Sequence, residues 1–476
     1  MTDRSMYTSP LESRYAGREM RTLFGDQKKF STWRKLWLEL AKCQKELGLN
    51  IRDEQIAQMA EHLYDIDFDA AASYERKLRH DVMAHIHAFS AAAPAAKAII
   101  HLGATSQYVN DNTDLILMRD GLNILIGLLA NIVASLSEFA QTHRDTVCLA
   151  FTHYQPAQLT TVGKRAVLWC QDFIMDLREL EYRLSTLEFR GVKGTTGTQA
   201  SFLALFDGDH EKVKKLDAMI AERFGFARAC PVTGQTYSRK IDAAITSSLG
   251  GIGASVHKFC NDIRLLSNLR EIEEPSESSQ VGSSAMAYKR NPMRCERATG
   301  LARWLISICT QPLQTAAEQW FERTLDDSAN KRLAIPEAFL TADACLRIVL
   351  NVTDGLVVRK NVIAKNFVAE LQYMATENIL MAAVRAGGDR QELHERIRVH
   401  SQKATEQVKE HGKSNDLLDR LRSDPAFARV DFDAVTEPRA YVGRAPEQVN
   451  DFIASDVVPV LAKYAGNLGL KSELNV

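Results

Sequence analysis

The sequence predicts an all-α protein built around helices too long for one compact core, and three observations carry that prediction. Apolar residues recur at helical spacing through most of the chain, and strand-like alternation is rare and short. The third is the run Ile245, Leu249, Ile252, Val256, Phe259, Ile263 and Leu266, which steps by 4, 3, 4, 3, 4 and 3 residues. Six steps over 21 residues give a period of 3.5, which keeps one apolar seam facing a neighbour in a bundle of nearly parallel helices.

Taken in order, the chain divides into an N-terminal helical lobe (1–111), a central long-helix bundle (112–360) and a C-terminal helical lobe (361–476). Its 476 residues exceed the roughly 250–300 at which one core stops growing. Predicted bundle helices cover 114–142, 164–190, 239–273, 296–318 and 336–358. The third is about 50 Å long at ~1.5 Å per residue, which points to a bundle shared between subunits. Gly250, Gly251 and Gly253 weaken such a helix, and are tolerated where a neighbour must come close. Between Leu115 and Phe139 the chain is strongly apolar but carries Arg119, Asp120, Asn123 and Asn131, which suits a buried bundle helix better than a membrane span.

Composition narrows the function classes. With 59 basic and 60 acidic residues the net charge is −1, which argues against nucleic acid or an anionic membrane as partner and leaves room for a local basic pocket. The eight cysteines are dispersed with no CxxC pair, as expected of reduced thiols in the cytoplasm. The opening MTDRSMYTSPLESRYAGREM has no apolar core of a secretory signal.

Five stretches could carry chemistry. In RHDVMAHIHAF, a helix would turn His85 and His87 about 200° apart and set His80 and His87 roughly 10 Å apart, so a shared metal is not expected. His80, flanked by Arg79 and Asp81, suits a polar site. HLGATSQYVNDNTDL offers the hydroxyls of Thr105 and Ser106 to a carboxylate, but spacing alone favours an N-cap from Asn112, Thr113 or Asp114. In FTHYQPAQLT, His153 stands before Gln155-Pro156 at a helix entrance, where it could serve as acid or base or be structural. KGTTGT (193–198) lacks the ending of a phosphate loop and reads as a turn. Finally, SESSQVGSSAMAYKRNPMRCER is a Ser/Gly-rich loop that could close over an anion. A serine there needs a nearby cation, such as Lys289, to act as a base.

As a set, these stretches resemble the fumarase/aspartase superfamily. GSSAMAYKRNP matches its signature GSSxMPxKxNP, with Glu296 where that family places an acid, and HLGATS and THYQPAQ resemble its two other active-site segments in the same order. Ala287 stands where the family usually has proline, which loosens the loop without removing a charge or nucleophile. The KRNP ending, RHDVMAH and SRYA resemble the branch that acts on succinylated purine nucleotides. The likeness covers nearly the whole chain.

The resemblance implies a three-domain all-α fold whose long central bundle is shared in a homotetramer, with active sites formed by three subunits. It implies β-elimination of fumarate from adenylosuccinate and SAICAR, with no metal or organic cofactor. By the same resemblance Ser283 is the base, His153 the acid with Glu296 as its partner, and Lys289 stabilises the intermediate. His80 and His101 line the pocket, His80 on the phosphate side. Arg14, Tyr15, Arg79 and Asp81 line the nucleotide end, Thr105 and Ser106 hold the succinyl carboxylate, and Gln235, Arg297, Arg323, Ser328 and Arg332 bind other substrate groups. The competing readings are a sister lyase, such as argininosuccinate lyase, fumarase, aspartase or a cycloisomerase, and a non-catalytic helical scaffold. The nucleotide-side arginines speak against the first, and the presence of Ser283, Lys289, His153 and Glu296 against the second.

Overall fold

A computed structural model describes residues 5–276, 286, 288–472 and 474, so Ser283 and Ala287 lie outside the described residues. Three helices matter in the N-terminal part: α1 (Asp26–Glu46), α2 (Phe68–Leu78) and α3 (Asp81–Ala92). The bundle follows with α4 (Ser106–Thr142), α5 (Val162–Thr186), α6 (Lys240–Asn268), α7 (Met293–Ile308), α8 (Gln311–Ala317) and α9 (Asp326–Thr353). α4 packs along α5 and α9, and α6 along α5, α7 and α9. All seven residues of the 3.5-period seam on α6 are buried.

Helix α4 is the spine. Its 37 residues span about 55 Å at ~1.5 Å per residue. By length and hydropathy it could cross a membrane, but 72% of its most apolar window is buried inside the protein. Its polar interruptions have uses: Asn131 Nδ2 donates to the carbonyl of Asn467 at 2.8 Å and its Oδ1 accepts from the Leu470 N–H at 3.0 Å, fastening the C-terminal segment to the bundle. Close approach explains a glycine. A Cβ on Gly253 would lie 3.0 Å from Ile306 Cγ1 and 3.3 Å from the Ala302 carbonyl, so α6 and α7 meet there almost backbone to side chain.

Several expected boundaries move. The helix expected at 114 begins at Ser106, so Asn112–Asp114 cannot be its cap; Asn112 and Thr113 are buried in its interior. The helix expected at 239–273 ends at Asn268, and Ile272–Glu273 instead pair with Val357–Val358 as a small antiparallel sheet. The 296–318 helix breaks at Cys309–Thr310, with Pro312 in the first turn of α8, where a missing N–H is harmless. α9 starts ten residues before the expected 336 and runs through Pro336. Ala334, Ile335, Ala338 and Phe339 are buried on both sides of it, and that packing outweighs the ~3 kcal/mol a helix-interior proline costs.

The largest departure is local. Residues read as a helix entrance at His153 form a β-hairpin, Val147–Thr152 paired with Gln155–Thr161. Among the described residues the buried apolar side chains form two cores. One runs from Met20 through the bundle to Val449, Val457 and Val460; a second, Ala375 to Phe432, belongs to the C-terminal part. All eight cysteines are free and buried.

Candidate active site

The starts of α4, α6 and α9 meet in a buried ionic hub. Arg239, immediately before α6, donates through Nη2 to Asp111 Oδ1 at 2.9 Å and through Nε to Asp327 Oδ2 at 2.8 Å; all three side chains are fully buried. Burial works to raise the Asp111 carboxyl, but the charges of Arg239 and Lys331 prevail and hold it at about 2. Lys331 Nζ lies 2.6 Å from Asp114 and 3.2 Å from Asp111. Such a hub adds little net stability but is damaging to break, which makes it a rigid mount.

From this mount hang several of the residues expected on the nucleotide side. Arg323 Nη1 donates to Gln235 Oε1 at 2.9 Å, and its Nη2 lies 3.7 Å from Asp327. Gln107, with its amide oriented to satisfy both neighbours, donates to Asp111 at 2.9 Å and accepts from Arg323 at 2.7 Å. Arg332 Nη2 donates to Asp81 Oδ2 at 2.6 Å. Ser328, Lys331 and Arg332 share a pocket of about 290 Å³ with Lys29 and Gln107.

The histidines go to separate neighbours. His80 is the N-cap of α3 rather than a helical residue: its Nδ1 accepts from the Met83 N–H at 3.3 Å. In the neutral ring Nε2 therefore carries the proton and lies 3.3 Å from Ser106 Oγ. Arg79 precedes it in the left-handed region, φ 55°, which turns α2 sharply into α3. His85 stacks on Phe30 at 3.8 Å and His87 on Tyr74 at 5.3 Å between ring centroids. His101 Nδ1 accepts from the buried Trp37 Nε1 at 2.8 Å. Thr105 precedes α4 and makes no side-chain cap bond, so its hydroxyl, like that of Ser106, is not consumed as a helix cap. The structure thus gathers His80, Asp81, His101, Thr105, Ser106, Gln235, Arg323, Ser328 and Arg332 at one end. Arg14 and Tyr15 pack on the neighbouring face of α9, where Tyr15 lines a different, largely apolar pocket with Trp304 and Leu333.

The other expected residues sit far away. His153 and Tyr154 are the two turn residues of the hairpin, both left-handed at φ 52° and 55°. A two-residue turn of this kind normally carries Asn or Gly. Tyr154 lines a pocket with Asp262 and Leu265, about 35 Å along α6 from Arg239 at ~1.5 Å per residue. Glu296, in the first turn of α7, lines a second pocket with Asn261, Arg264 and the same Leu265. His153 and Glu296 therefore stand at one level on adjacent faces of α6, but among the described residues no hydrogen bond joins them. Arg297 follows Glu296 half-buried, and Lys289 is exposed, its N–H bonded to the Met286 carbonyl at 3.0 Å.

Some supporting residues escaped sequence reasoning. Asp111, Arg239, Asp327 and Lys331 read as ordinary surface charges on helices, and only their convergence from three distant segments makes them a hub. Glu274 was equally silent: its carboxylate accepts from the N–H groups of Arg294 and Cys295, both at 3.0 Å, tying the strand before the Ser-rich loop to the helix after it. Its signal in the sequence is an acid about twenty residues before a helix N-terminus, across a Ser-rich segment.

Comparison with known proteins gives concordant results. The family described as Lyase matches residues 31–306, and that described as Adenylosuccinate lyase C-terminus matches residues 372–452. Over 469 residues the chain is 54% identical to the adenylosuccinate lyase of Saccharomyces cerevisiae and 52% identical to that of Schizosaccharomyces pombe. In each case the match covers 98% of this chain and 97% of the relative. The adenylosuccinate lyase of Schistosoma mansoni is 49% identical over 474 residues, 99% of each chain. In fold the chain is similar to the 3-carboxy-cis,cis-muconate lactonizing enzyme of Pseudomonas putida, with a TM-score of 0.81, 20% identity, and coverage of 96% of this chain and 99% of that one. It is also similar to a fumarate lyase from Mesorhizobium sp. BNC1, with a TM-score of 0.79, 23% identity, and coverage of 94% and 100%.

Proposed function

Because the chain belongs to the adenylosuccinate lyases of the fumarase/aspartase superfamily, we propose that it eliminates fumarate from adenylosuccinate, giving AMP, and from SAICAR, giving AICAR. It is a carbon–nitrogen lyase acting on nucleotides. Ser283 removes the proton from the carbon beside a succinyl carboxylate, and the electron pair is held as a dianionic carboxylate that Lys289 stabilises. The C–N bond then breaks, His153 protonates the departing nitrogen, and fumarate and the amine leave. Thr105 and Ser106 hold a carboxylate; Gln235, Arg323, Ser328 and Arg332, with His80 and Asp81 beside them, hold the nucleotide side, and Arg14, Tyr15, Arg79, His101 and Arg297 complete the pocket.

The observation that carries this reading is the separation of the groups. His153 lies about 35 Å along the bundle from the nucleotide-side cluster, far beyond the reach of one substrate. That separation supports a site drawn from different chains, and we place it in a homotetramer with three subunits contributing, where His153 of one chain meets Glu296 of another. The outer face of α5 supports that assembly: Leu168, Met175 and Tyr182 recur every seven residues and are 46%, 59% and 55% exposed, an apolar seam turned toward solvent. The three-part division at about residues 111 and 360 suits the same scheme. Eight buried free thiols suit a reducing compartment such as the cytoplasm.

The direct test is fumarate release from purified protein given adenylosuccinate, with argininosuccinate in a parallel reaction. Release from adenylosuccinate alone is expected; release from argininosuccinate alone would move the chain to the sister activity.

A further inference from the structure

Helix α1 carries a cation that its own fold does not explain. Lys29 lies in the first turn of α1, where the positive end of the helix dipole disfavours it. It is half-buried, and among the described residues it has no carboxylate within 4 Å. Its ammonium sits 5.1 Å from the Phe30 ring centroid and 5.5 Å from that of Trp33, contacts that only partly replace a counter-charge. Burial, and then the nearby positive charge of Arg332, push its pKa down.

The surroundings say what is missing. Lys29, Ser328, Lys331 and Arg332 line the same pocket of about 290 Å³. Lys331 is matched by Asp111 and Asp114, and Arg332 by Asp81. Asp26 also lines the pocket but stands too far from Lys29 to pair with it. Lys29 thus shares with a second cation, Arg332, and with the Ser328 hydroxyl a cavity large enough for a phosphate group. Such a charge is stable when an anion fills the gap.

We propose that Lys29 is a further substrate-binding residue, a ligand of the nucleotide's phosphate dianion that lets the site discriminate phosphorylated substrate from the corresponding nucleoside. This rests on the reading of Ser328 and Arg332 as nucleotide-side residues. A compact ammonium with three donors suits a tetrahedral anion, and it would complete a set in which Arg332 and Ser328 approach from α9 and Lys29 from α1.

The experiment compares kcat/KM for adenylosuccinate with that for the same substrate lacking its phosphate, in wild type, Lys29→Met, Lys29→Arg and Arg332→Ala. It also measures inhibition by inorganic phosphate and by fumarate in each. Lys29→Met is expected to lower the phosphorylated-to-dephosphorylated ratio roughly ten- to hundredfold, to weaken inhibition by phosphate and to leave that by fumarate within about twofold. Lys29→Arg, which keeps the charge and the helix, is expected to recover most of the ratio. A ratio that falls for Arg332→Ala but stays within about twofold of wild type for Lys29→Met overturns this inference alone. A ratio unmoved by both variants removes phosphate from this pocket and overturns the underlying reading as well. Weakened inhibition by fumarate rather than phosphate would make Lys29 a carboxylate ligand and equally overturn the proposal.

Discussion

Arg332 on α9 donates through Nη2 to Asp81 Oδ2 at 2.6 Å, joining the bundle to the first residue of α3 across 251 positions of sequence. Burial works to raise the Asp81 carboxyl, but the hydrogen bond and charge of Arg332 overcome it and hold it below the ordinary 3.8. Arg332 is half exposed, so the pair is worth at most about 1 kcal/mol of stability, present above pH ~4 and lost below it. Its larger effect is to aim a guanidinium into the pocket. Arg332→Ala is expected to raise KM for adenylosuccinate roughly ten- to hundredfold with a smaller change in kcat. An unchanged KM in steady-state assays would remove Arg332 from the binding set.

His153 and Ser283 should fail in a complementary way. Each single alanine variant is expected to lower kcat by at least about 100-fold while circular dichroism and the oligomeric state stay as in wild type. When the two inactive proteins are mixed under conditions of subunit exchange, sites drawing His153 from one chain and Ser283 from another can become complete. In a random mixture about a quarter of the sites hold both native residues, so roughly that fraction of activity is expected to return. Activity that stays at zero after labelled subunits have demonstrably exchanged would place both residues on one chain.

The hairpin turn makes a prediction about strain. His153 and Tyr154 hold φ of 52° and 55° without being glycine or asparagine, which costs roughly 1 kcal/mol or more at each. Tyr154→Gly should therefore leave thermal stability equal or raise it by a few degrees, despite the lost ring contact with Phe151 at 5.8 Å. Asparagine at 153 should likewise be tolerated by the fold yet lack the acid. A Tm that drops by several degrees in Tyr154→Gly would show that ring packing outweighs the backbone.

The bundle was largely legible because burial imposes a period. The seam from Ile245 to Leu266 could face only a helical neighbour, and every one of its residues is buried. Boundaries were less legible where a local rule lost to packing. Asn112, Thr113 and Asp114 look like a cap, but Asn112 is held inside α4 by Gly191, whose N–H it accepts at 3.0 Å. His153 reads as a helix entrance because Gln155-Pro156 masks a hairpin whose turn lacks the usual Gly. The residues proposed for the nucleotide side are marked by family segments, not by their own spacing. The hub that mounts them could not be, since Asp111, Arg239 and Asp327 come together only in three dimensions.

Glu274 offers a test of how the base of the Ser-rich loop is held. Its carboxylate takes the N–H groups of Arg294 and Cys295 in the first turn of α7, two residues and one residue before Glu296. Glu274→Ala leaves those donors buried without partners and is expected to cost about 1–3 kcal/mol in chemical denaturation and to reduce kcat. Glu274→Gln, which keeps one acceptor, should fall between. Wild-type turnover in a measurably destabilised Glu274→Ala would confine this residue to stability.

Acid sensitivity should originate in two histidines kept neutral. His85, stacked on Phe30, is pushed from the ordinary 6.5 to about 4 by burial, helped by Arg34; His101 falls to about 4 by burial, helped by His80. Between those values the unfolded chain binds protons that the folded chain refuses. Stability is therefore full above pH 6.5 and declines as pH falls toward 4, by at most about 3 kcal/mol for each histidine. His101 belongs to the proposed pocket, so His85 is the cleaner probe. His85→Phe keeps an aromatic face against Phe30 and removes one proton site. Denaturant unfolding at pH 7 and pH 5 should show wild type losing more stability on acidification than His85→Phe, with the gap about 1–2 kcal/mol. Equal losses would mean that His85 titrates alike in the folded and unfolded chains, and that its contact with Phe30 does not exclude the charged form.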